Sequence, residues 1–377
     1  MKILLIEYRD PSHPEAGGAE VILQEVFSRI VAAGHQVDYL CNRHGQAPAE
    51  EVCGGIRFIR RGYQPYFNVA VPWVYHRELK ANHYDLIIEG IDKIPFYMPL
   101  FERRVPVMAI IPHLFGTTVF REAAWPVAAY VYLMEQAVPR VYRQSLFSVL
   151  SQSTRDDLIA RGVPADRIAV IYSGLTQAEY SAPEVKPPRE RPTILYLGRI
   201  KKYKGIELGI LAVDRLKAKY PEIRYQIVGA GDYLDSLKEI TRQGGLEGHV
   251  EFTGLKRGRE KMALLQAADV LIYTSPKEGW GLSVVEANAC GTVVVASDSP
   301  GLRESVVDGQ TGFLVPHGDV PALAQRIDQL LSDESLYGRM RAAGLAWGRG
   351  FTWERAAQET LALMERARAE FGSRAGS

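Results

Sequence analysis

The stretch VLIYTSPKEGWGLSVVEANACGTVVVA, residues 270–296, contains the pattern that decides the predicted fold. An apolar run at Val270–Tyr273 leads into a glycine-rich loop. A segment of helical length at Leu282–Ala289 and a second apolar run at 293–296 follow it. A buried strand, a helix and another buried strand in this order are typical of a βαβ unit with parallel strands. The stretch therefore predicts a parallel sheet covered by helices.

The same alternation continues outward in both directions and predicts two doubly wound α/β domains. Helical periodicity is clear at 19–33 and 205–219, and each of these segments lies between short apolar runs. The further runs predicted as strands are 2–7, 36–40, 85–89, 105–111 and 146–150 in the first half, and 193–197, 224–228 and 250–253 in the second.

A linker is predicted at 181–192, SAPEVKPPRERP, where four prolines and several charges leave no periodic apolar face. The predicted organisation is a first domain at 1–180, this linker, a second domain at 193–350 and a C-terminal helix at 351–377. Ligands of open α/β sheets bind beyond the carboxyl ends of the strands. We therefore expect two Rossmann-like domains that face one another across a cleft, with the chemistry in that cleft.

Composition and charge exclude several classes of protein. The 45 basic and 44 acidic residues give a net charge of +1, so no global field would attract nucleic acid. Three cysteines without CxxC spacing argue against a disulfide framework and a zinc knuckle. The apolar run after Lys2 is too short for a signal peptide, and 123–134 is shorter than the roughly 20 residues that span a bilayer. We expect a cytoplasmic protein that could touch a membrane surface.

Two loops carry residue types that suit phosphate. Gly17 and Gly18 join a predicted strand to a helix, where backbone amides could bind an anion, although paired glycines can also merely turn the chain. Arg199 and Lys204 follow the predicted strand 193–197. A guanidinium and an ammonium together can neutralise a diphosphate, and a solvated basic loop is the alternative.

Two acids eight positions apart mark the opening stretch. Glu278 lies in the loop, where it could reach a sugar, and Glu286 lies on the predicted helix, where it could accept hydrogen bonds from ribose hydroxyls. The amides of Gly281, Leu282 and Ser283 lie at the helix N-terminus and could bind phosphate. Glu286 could also be an ordinary acid of a helix surface, but this alternative leaves the Gly-Trp-Gly sequence unexplained.

These motifs, in order, resemble the retaining GT-B glycosyltransferases of family 4 over nearly the whole chain. The set comprises GGAE, LGRI with KYKG, VGAGD, FTG, EGWGLSVVEA and DGQTGFLVPHGD. The resemblance implies a retaining, metal-independent transferase that uses a UDP- or GDP-sugar as donor and no cofactor. It implies that Glu278 contacts the donor sugar, that Glu286 binds ribose, and that Arg199 and Lys204 bind the diphosphate.

The resemblance adds further site residues. His113 in IIPHLFG is similar to a histidine that lines the donor-sugar site, and Gly229 and Gly231 fit a turn near the nucleotide base. FTWERAA at 351–357 resembles a C-terminal helix that packs back toward the first domain. The segment Ser173-Gly174-Leu175 departs from the family, which often has Asn-Gly and an acid there. The chain has no DxD triplet, the usual carboxylate site for a diphosphate-bound metal.

Other functions stay open beside this one. A non-hydrolysing nucleotide-sugar epimerase has the same two-domain architecture, and a degenerate nucleotide-sugar-binding subunit would be non-enzymatic. A dinucleotide dehydrogenase is disfavoured, because Gly229-Ala230-Gly231 lacks the third glycine of GxGxxG.

The acceptor is expected to bind the first domain, and segment 115–143 is the informative one. Aromatic and basic side chains together suit a membrane interface, whereas a buried helix with core aromatics is the alternative. The hypothesis is a lipid-linked sugar or another envelope glycan precursor, reached by peripheral binding at the inner face of a membrane. The aromatic residues of the segment are Phe115, Phe120, Trp125, Tyr130, Tyr132 and Tyr142.

Overall fold

The computed structural model describes residues 1–64, 66–92, 94–121, 123–176, 179–183 and 191–375. They form two compact units. The first comprises Met1–Gly174 and Trp353–Ser377, and the second comprises Leu175–Thr352. Each unit is built on one mostly parallel sheet with helices, so the predicted fold class of two Rossmann-like α/β domains is confirmed.

The first unit has an eight-stranded sheet in the order β3-β4-β2-β1-β5-β6-β7-β8, in which only the β3–β4 pair is antiparallel. Its strands are β1 Lys2–Ile6, β2 Gln36–Cys41, β3 Glu50–Cys53, β4 Ile56–Arg60, β5 Leu86–Gly90, β6 Val107–Ile111, β7 Phe147–Val149 and β8 Ile168–Val170. Its helices up to this point are α1 Gly18–Ala32, α2 Phe67–Val74, α3 Met98–Phe101, α4 Trp125–Val141 and α5 Gln152–Ala160.

The second unit has a six-stranded, fully parallel sheet in the order β11-β10-β9-β12-β13-β14. Its strands are β9 Thr193–Leu197, β10 Arg224–Val228, β11 Val250–Gly254, β12 Val270–Tyr273, β13 Val293–Ser297 and β14 Gly312–Val315. Its helices are α6 Glu207–Leu216, α7 Leu234–Gln243, α8 Gly258–Ala267, α9 Leu282–Ala289, α10 Leu302–Ser305, α11 Val320–Ser332 and α12 Glu334–Arg349.

The last helix, α13 at Trp353–Ala375, belongs to the first unit. Trp353, Leu363 and Met364 are buried in the same apolar cluster as side chains of β1 and α1. At its amino end, the Arg29 guanidinium of α1 donates to the Glu354 carboxylate at 2.9 Å. The chain therefore returns to its first sheet after it completes the second.

The division between the units lies at Gly174, before the predicted boundary at 180. Leu175 forms a parallel bridge with Thr352, and its amide donates to the Phe351 carbonyl at 3.1 Å. Residues 179–183 are also bonded to the second unit, because Gln266 donates to the Ser181 carbonyl at 2.6 Å. The predicted linker at 181–192 falls partly outside the described residues, at 184–190.

Among the strands that apolar periodicity did not predict, β3 has the weakest burial pattern. All four side chains of β3 are exposed, so its sequence EEVC contains no alternation to detect. It pairs with β4 across Gly54 and Gly55, which both have positive φ and allow the tight connection.

The strand orders indicate where ligands should bind. β1 lies between β2 and β5, and β9 lies between β10 and β12, so the winding direction reverses at each of these central strands. Loops on either side of such a reversal diverge and leave a crevice at the carboxyl ends of the strands. The loops that follow β1, β9 and β12 are the ones that carry most of the predicted site residues.

Candidate active site

The loops after β9 and β12 bring Lys204 and Glu278 together. The two strands are neighbours in the sheet, and Leu195 lies opposite Leu271. Lys204 is only 5% exposed, and its ammonium donates a short hydrogen bond to Glu278 Oε1. It also lies 3.4 Å from the Tyr273 hydroxyl. The sequence indicated each residue separately, and the structure shows that they form one buried ion pair.

The surroundings of Lys204 keep it charged. Burial acts to lower the pKa of Lys204, but the Glu278 carboxylate outweighs this effect, with help from Tyr203 and Tyr196, and the pKa lies above its ordinary value. The ammonium is 4.9 Å from the centre of the Tyr203 ring and 5.4 Å from that of Tyr273. Aromatic faces and one carboxylate thus hold a desolvated cation at the carboxyl end of the sheet.

Gly229 and Gly231 allow the loop that carries Arg199 to lie against β10. A Cβ at Gly229, whose φ is +150°, would be 1.9 Å from the Gly198 carbonyl oxygen, and a Cβ at Gly231 would be 2.0 Å from that of Ile200. The Ile200 amide donates to the Ala230 carbonyl at 2.9 Å, so the two loops are directly bonded. The resemblance associates these glycines with the base, and the structure adds that they position the arginine loop.

The loop of Glu278 is held by close backbone contacts. The Glu278 amide donates to the Pro300 carbonyl at 3.0 Å, and a Cβ at Gly301 would lie 2.2 Å from the Glu278 carbonyl oxygen. Gly281, with φ +81°, caps α9, whose first turn contains Leu282 and Ser283. Their amides therefore lie at a helix N-terminus, as the sequence predicts.

Trp280 explains the Gly-Trp-Gly sequence. Its side chain is buried, and its ring packs edge-on against Phe351 with the ring centres 5.1 Å apart. The tryptophan thus anchors the loop to the body of the second unit.

Glu286 is a buried acid and not an ordinary residue of a helix surface. It is 3% exposed, and its Oε1 accepts hydrogen bonds from the Tyr180 hydroxyl and from Lys261 Nζ, both at 2.6 Å. Burial and the Glu286 charge raise the pKa of Tyr180, so the phenol stays protonated and donates. Sequence reasoning missed both partners.

The glycine pair of the first unit lies at the start of α1, directly after the loop that follows β1. The Gly17 amide donates to Glu20 Oε2 at 2.8 Å, and Glu20 is buried. Burial and the nearby Asp92 raise the pKa of Glu20. The predicted anion site at Gly17 and Gly18 therefore contains a carboxylate of its own, which already uses one amide.

His113 follows β6, and a buried acid shapes its loop. The Phe115 and Gly116 amides donate to the two carboxylate oxygens of Glu135 at 2.7 and 2.8 Å. The His113 ring packs on Phe115 with centres 4.9 Å apart. Strand β5 separates the strands that lead to Gly17 and to His113. Glu135 lies in an apolar stretch of α4, where its single charge gave no motif to detect.

The described residues contain neither a metal-binding cluster nor a membrane-spanning helix. Within the described ranges, no three His, Cys, Asp or Glu side chains are grouped so that they could hold a metal ion. No helix in that part of the chain is long and apolar enough to cross a membrane.

Two family models together match most of the chain. Residues 16–178 match the model described as Glycosyltransferase Family 4, and residues 179–347 match the model described as Glycosyl transferases group 1. The border between the two matches lies close to the division between the two units.

The chain is similar to known proteins both in sequence and in structure. The chain is 25% identical to the glycogen synthase of Mycobacterium tuberculosis over 96% of its own length and 93% of that protein. It is 39% identical to the phosphatidyl-myo-inositol mannosyltransferase of Mycolicibacterium smegmatis over 153 residues, which are 40% of this chain and 38% of that protein. Anabaena HepE in complex with UDP and glucose superposes with a TM-score of 0.77 at 20% identity, over 97% of this chain and all of that one (100%), which shows a shared fold.

The contact of Gly231 with the arginine loop can be tested by adding one methyl group. We expect Gly231→Ala to lower the free energy of unfolding of the second unit by about 1–3 kcal/mol, because the new Cβ must displace the Ile200 carbonyl. Gly248→Ala is the matched control, since a Cβ there meets no atom within 4 Å. Thermal unfolding measures both, and equal melting temperatures for the two variants would contradict the contact.

Proposed function

Since the chain belongs to the GT-B glycosyltransferases of family 4, we propose that it transfers a sugar from a nucleotide diphosphate sugar to an acceptor, with retention of anomeric configuration and without a metal ion. Family membership favours a transferase over the epimerase alternative. The observation that carries the proposal is the buried Lys204–Glu278 pair, which lies at the strand-order reversal of the second sheet.

The proposed role of Lys204 is to stabilise the departing diphosphate. Its ammonium is desolvated, and its raised pKa favours the charged form, so it interacts with phosphate oxygens more strongly than a solvated lysine would. Arg199 lies on the same loop and adds a planar, two-pronged donor. In the absence of donor, Glu278 balances the buried positive charge, which would otherwise be costly.

Retention is proposed to proceed without a covalent enzyme intermediate. The bond between the anomeric carbon and the phosphate oxygen breaks as the centre becomes oxocarbenium-like. An acceptor hydroxyl then bonds to the same face and passes its proton to the leaving phosphate. Glu278 is paired with Lys204 in the free protein. Its proposed role is to bind donor-sugar hydroxyls.

The donor is proposed to be a UDP- or GDP-sugar. The structurally similar Anabaena protein is bound to UDP and glucose, which supports uridine among the possible bases. The base is proposed to lie near the turn of Gly229 and Gly231, where the exposed Gly231 has no side chain.

A lipid-linked or envelope glycan acceptor is supported by an apolar surface of the first unit. Three neighbouring helices form it. The Asn68 amide, on α2, donates to the Tyr130 hydroxyl of α4 at 2.9 Å, and the Tyr97 hydroxyl, next to α3, donates to the Met134 carbonyl of α4 at 2.6 Å. We call it the α2–α4 surface, and its exposed side chains are Tyr66, Val69, Trp73, Leu100, Phe101, Trp125, Tyr130 and Leu133.

This surface corrects the segment assigned from sequence. Tyr142 is fully buried and donates to Glu89 at 2.6 Å, so it cannot meet a membrane. Phe115 is partly buried and packs on His113. The exposed aromatic residues of the α2–α4 surface come from the start and body of α2, from α3 and from α4, and the segment assigned from sequence included only those of α4.

Basic residues accompany the α2–α4 surface. The Arg77 guanidinium lies 5.2 Å above the Trp73 ring, and Arg103 and Arg104 are exposed just after α3. Neither of the latter two joins an ion pair with another described residue. Exposed aromatic rings with unpaired cations suit an interface with anionic lipid. The mycobacterial mannosyltransferase carries the name of a lipid, phosphatidyl-myo-inositol, which also supports a lipid-linked acceptor.

Lys204→Met tests the proposed diphosphate site. We expect the transfer rate to fall about 10²- to 10³-fold, because one charge-assisted contact to the leaving group is lost. Lys201→Met is the matched control, since Lys201 is a partly exposed neighbour that pairs with Asp232 at 2.7 Å, and the rate of this variant should stay close to that of the wild type. Steady-state transfer kinetics decide, and similar rates in both variants would remove Lys204 from the mechanism.

The metal-independent mechanism has its own test. After dialysis against EDTA, transfer should continue with less than about twofold loss, because protein cations replace the divalent ion that other transferases use. Loss of activity that manganese or magnesium restores would show this part of the proposal to be wrong.

Vesicle sedimentation tests the α2–α4 surface. We expect the protein to sediment with phosphatidylglycerol vesicles at low salt and less at moderate salt, because part of the attraction is electrostatic. Removing Trp73 and Trp125 together by alanine should lower the bound fraction several-fold. Leu255→Ala removes an exposed apolar side chain of the second unit and should leave the bound fraction unchanged. No sedimentation of the wild type at low salt would leave a soluble acceptor as the conclusion.

A further inference from the structure

Glu286 is held by two side chains to which no function has been assigned. The Tyr180 hydroxyl and Lys261 Nζ both donate to Oε1 at 2.6 Å, and Lys261 Nζ also donates to the Tyr180 hydroxyl at 3.2 Å. The ammonium lies 5.5 Å from the centre of the Tyr180 ring. Tyrosine, lysine and carboxylate therefore form a closed triangle of hydrogen bonds.

The three members of this triangle come from three separate segments. Glu286 lies on α9, Lys261 lies on the neighbouring α8, and Tyr180 precedes β9 in the segment 179–183. That segment is fixed to the second unit by its own hydrogen bonds, because Arg341 donates to the Pro183 carbonyl at 2.6 Å. A side chain that is anchored on its own helix and bonded to donors from two other segments has little rotamer freedom, so the carboxylate has a defined orientation.

The triangle uses only one carboxylate oxygen. Both donors bond to Oε1, whereas Oε2 has no hydrogen bond within the described residues. An ionised carboxylate can accept several hydrogen bonds through each oxygen. Oε2 is therefore the atom that can accept hydroxyl groups of a ligand.

Charge balance requires the lysine. Glu286 is nearly inaccessible to solvent, and a buried carboxylate is costly unless a cation or several donors accompany it. Lys261 supplies the positive charge, and its side chain is itself mostly covered. Cys290 is also near, but burial and the Glu286 charge raise the pKa of this thiol to about 12, so it stays neutral and does not compete for Lys261.

We propose that Tyr180 and Lys261 are positioning residues that aim Glu286 Oε2 at the ribose hydroxyls of the donor and thereby set the preference of the enzyme for ribonucleotides over deoxyribonucleotides. The inference rests on the proposed transfer from a nucleotide sugar and on the ribose-binding role that the family resemblance implies for Glu286. Tyr180 and Lys261 act through Glu286 and need not touch the donor. Their removal frees or neutralises the carboxylate and weakens only the contacts that it makes.

The test is the ratio of two dissociation constants, that of the 2′-deoxy or 3′-deoxy nucleoside diphosphate over that of the ribonucleoside diphosphate. Calorimetry with UDP, GDP and their deoxy counterparts measures it for the wild type, Tyr180→Phe, Lys261→Met and Glu286→Gln. Hydrogen bonds to a charged group predict a wild-type ratio of about 10 to 100 for at least one hydroxyl. Lys256→Met is the matched control, because this lysine lies just before α8 and pairs with Glu260 at 3.0 Å.

We expect the ratio to fall to within about threefold of 1 in Lys261→Met and Glu286→Gln, to fall at least threefold in Tyr180→Phe, and to stay at the wild-type value in Lys256→Met. A purely structural role for Tyr180 and Lys261 would weaken ribose and deoxyribose ligands equally and leave the ratio unchanged, which would overturn the inference. If Glu286→Gln also kept the wild-type ratio, or if the wild type bound none of these ligands measurably, the assignment of ribose to Glu286 would itself be wrong.

Discussion

The buried hydrogen bond between Lys204 and Glu278 is the interaction on which the rest of this site depends. A lysine ammonium at the carboxyl end of β9 is removed from water, and a single carboxylate at the end of the neighbouring β12 balances it. This pairing requires both loops to be placed accurately. Gly301 allows the carbonyl of Glu278 to approach closely, and Gly229 with Gly231 allows the loop before Lys204 to lie against β10. These three glycines therefore allow the loops with the charged side chains to pack closely, in addition to allowing the chain to turn.

Buried acids with assigned partners recur in both units. Glu135 accepts from two backbone amides of the His113 loop, and Glu286 accepts from a tyrosine and a lysine. Glu135 holds the loop that follows β6, whereas Glu286 is itself held by its two donors, and both acids accept hydrogen bonds from within the protein. Such hydrogen bonds keep side chains and loops in fixed positions. A site needs this if its hydrogen-bond donors must be in place before the leaving group develops its charge. The parallel sheets supply the frame, because their strand order brings the relevant loops to one edge in each unit.

Apolar periodicity and motif spacing predicted most strands and the fold class, and they singled out Lys204 and Glu278, which the structure brings together. They succeeded because β9, β12 and α9 have local signals, a continuous apolar run or a glycine at a helix start. Partners were not predictable, since Lys204 and Glu278 are 74 residues apart and Tyr180 and Glu286 are 106 apart. No local pattern encodes such contacts. Strand β3 was not predicted because its exposed side chains form no apolar pattern. The role of Glu135 was not predicted because it is a single buried acid within an apolar stretch, where no motif marks it.

A crystal structure of the protein with bound UDP or GDP tests the central claim most directly, which is that the Lys204 ammonium and the Arg199 guanidinium bind the diphosphate of the donor. The account predicts phosphate oxygens within hydrogen-bonding distance of Lys204 Nζ and of the Arg199 guanidinium, beside the amides of Gly281 and Leu282. A diphosphate bound elsewhere, with Lys204 paired only to Glu278 as in the free protein, would contradict it.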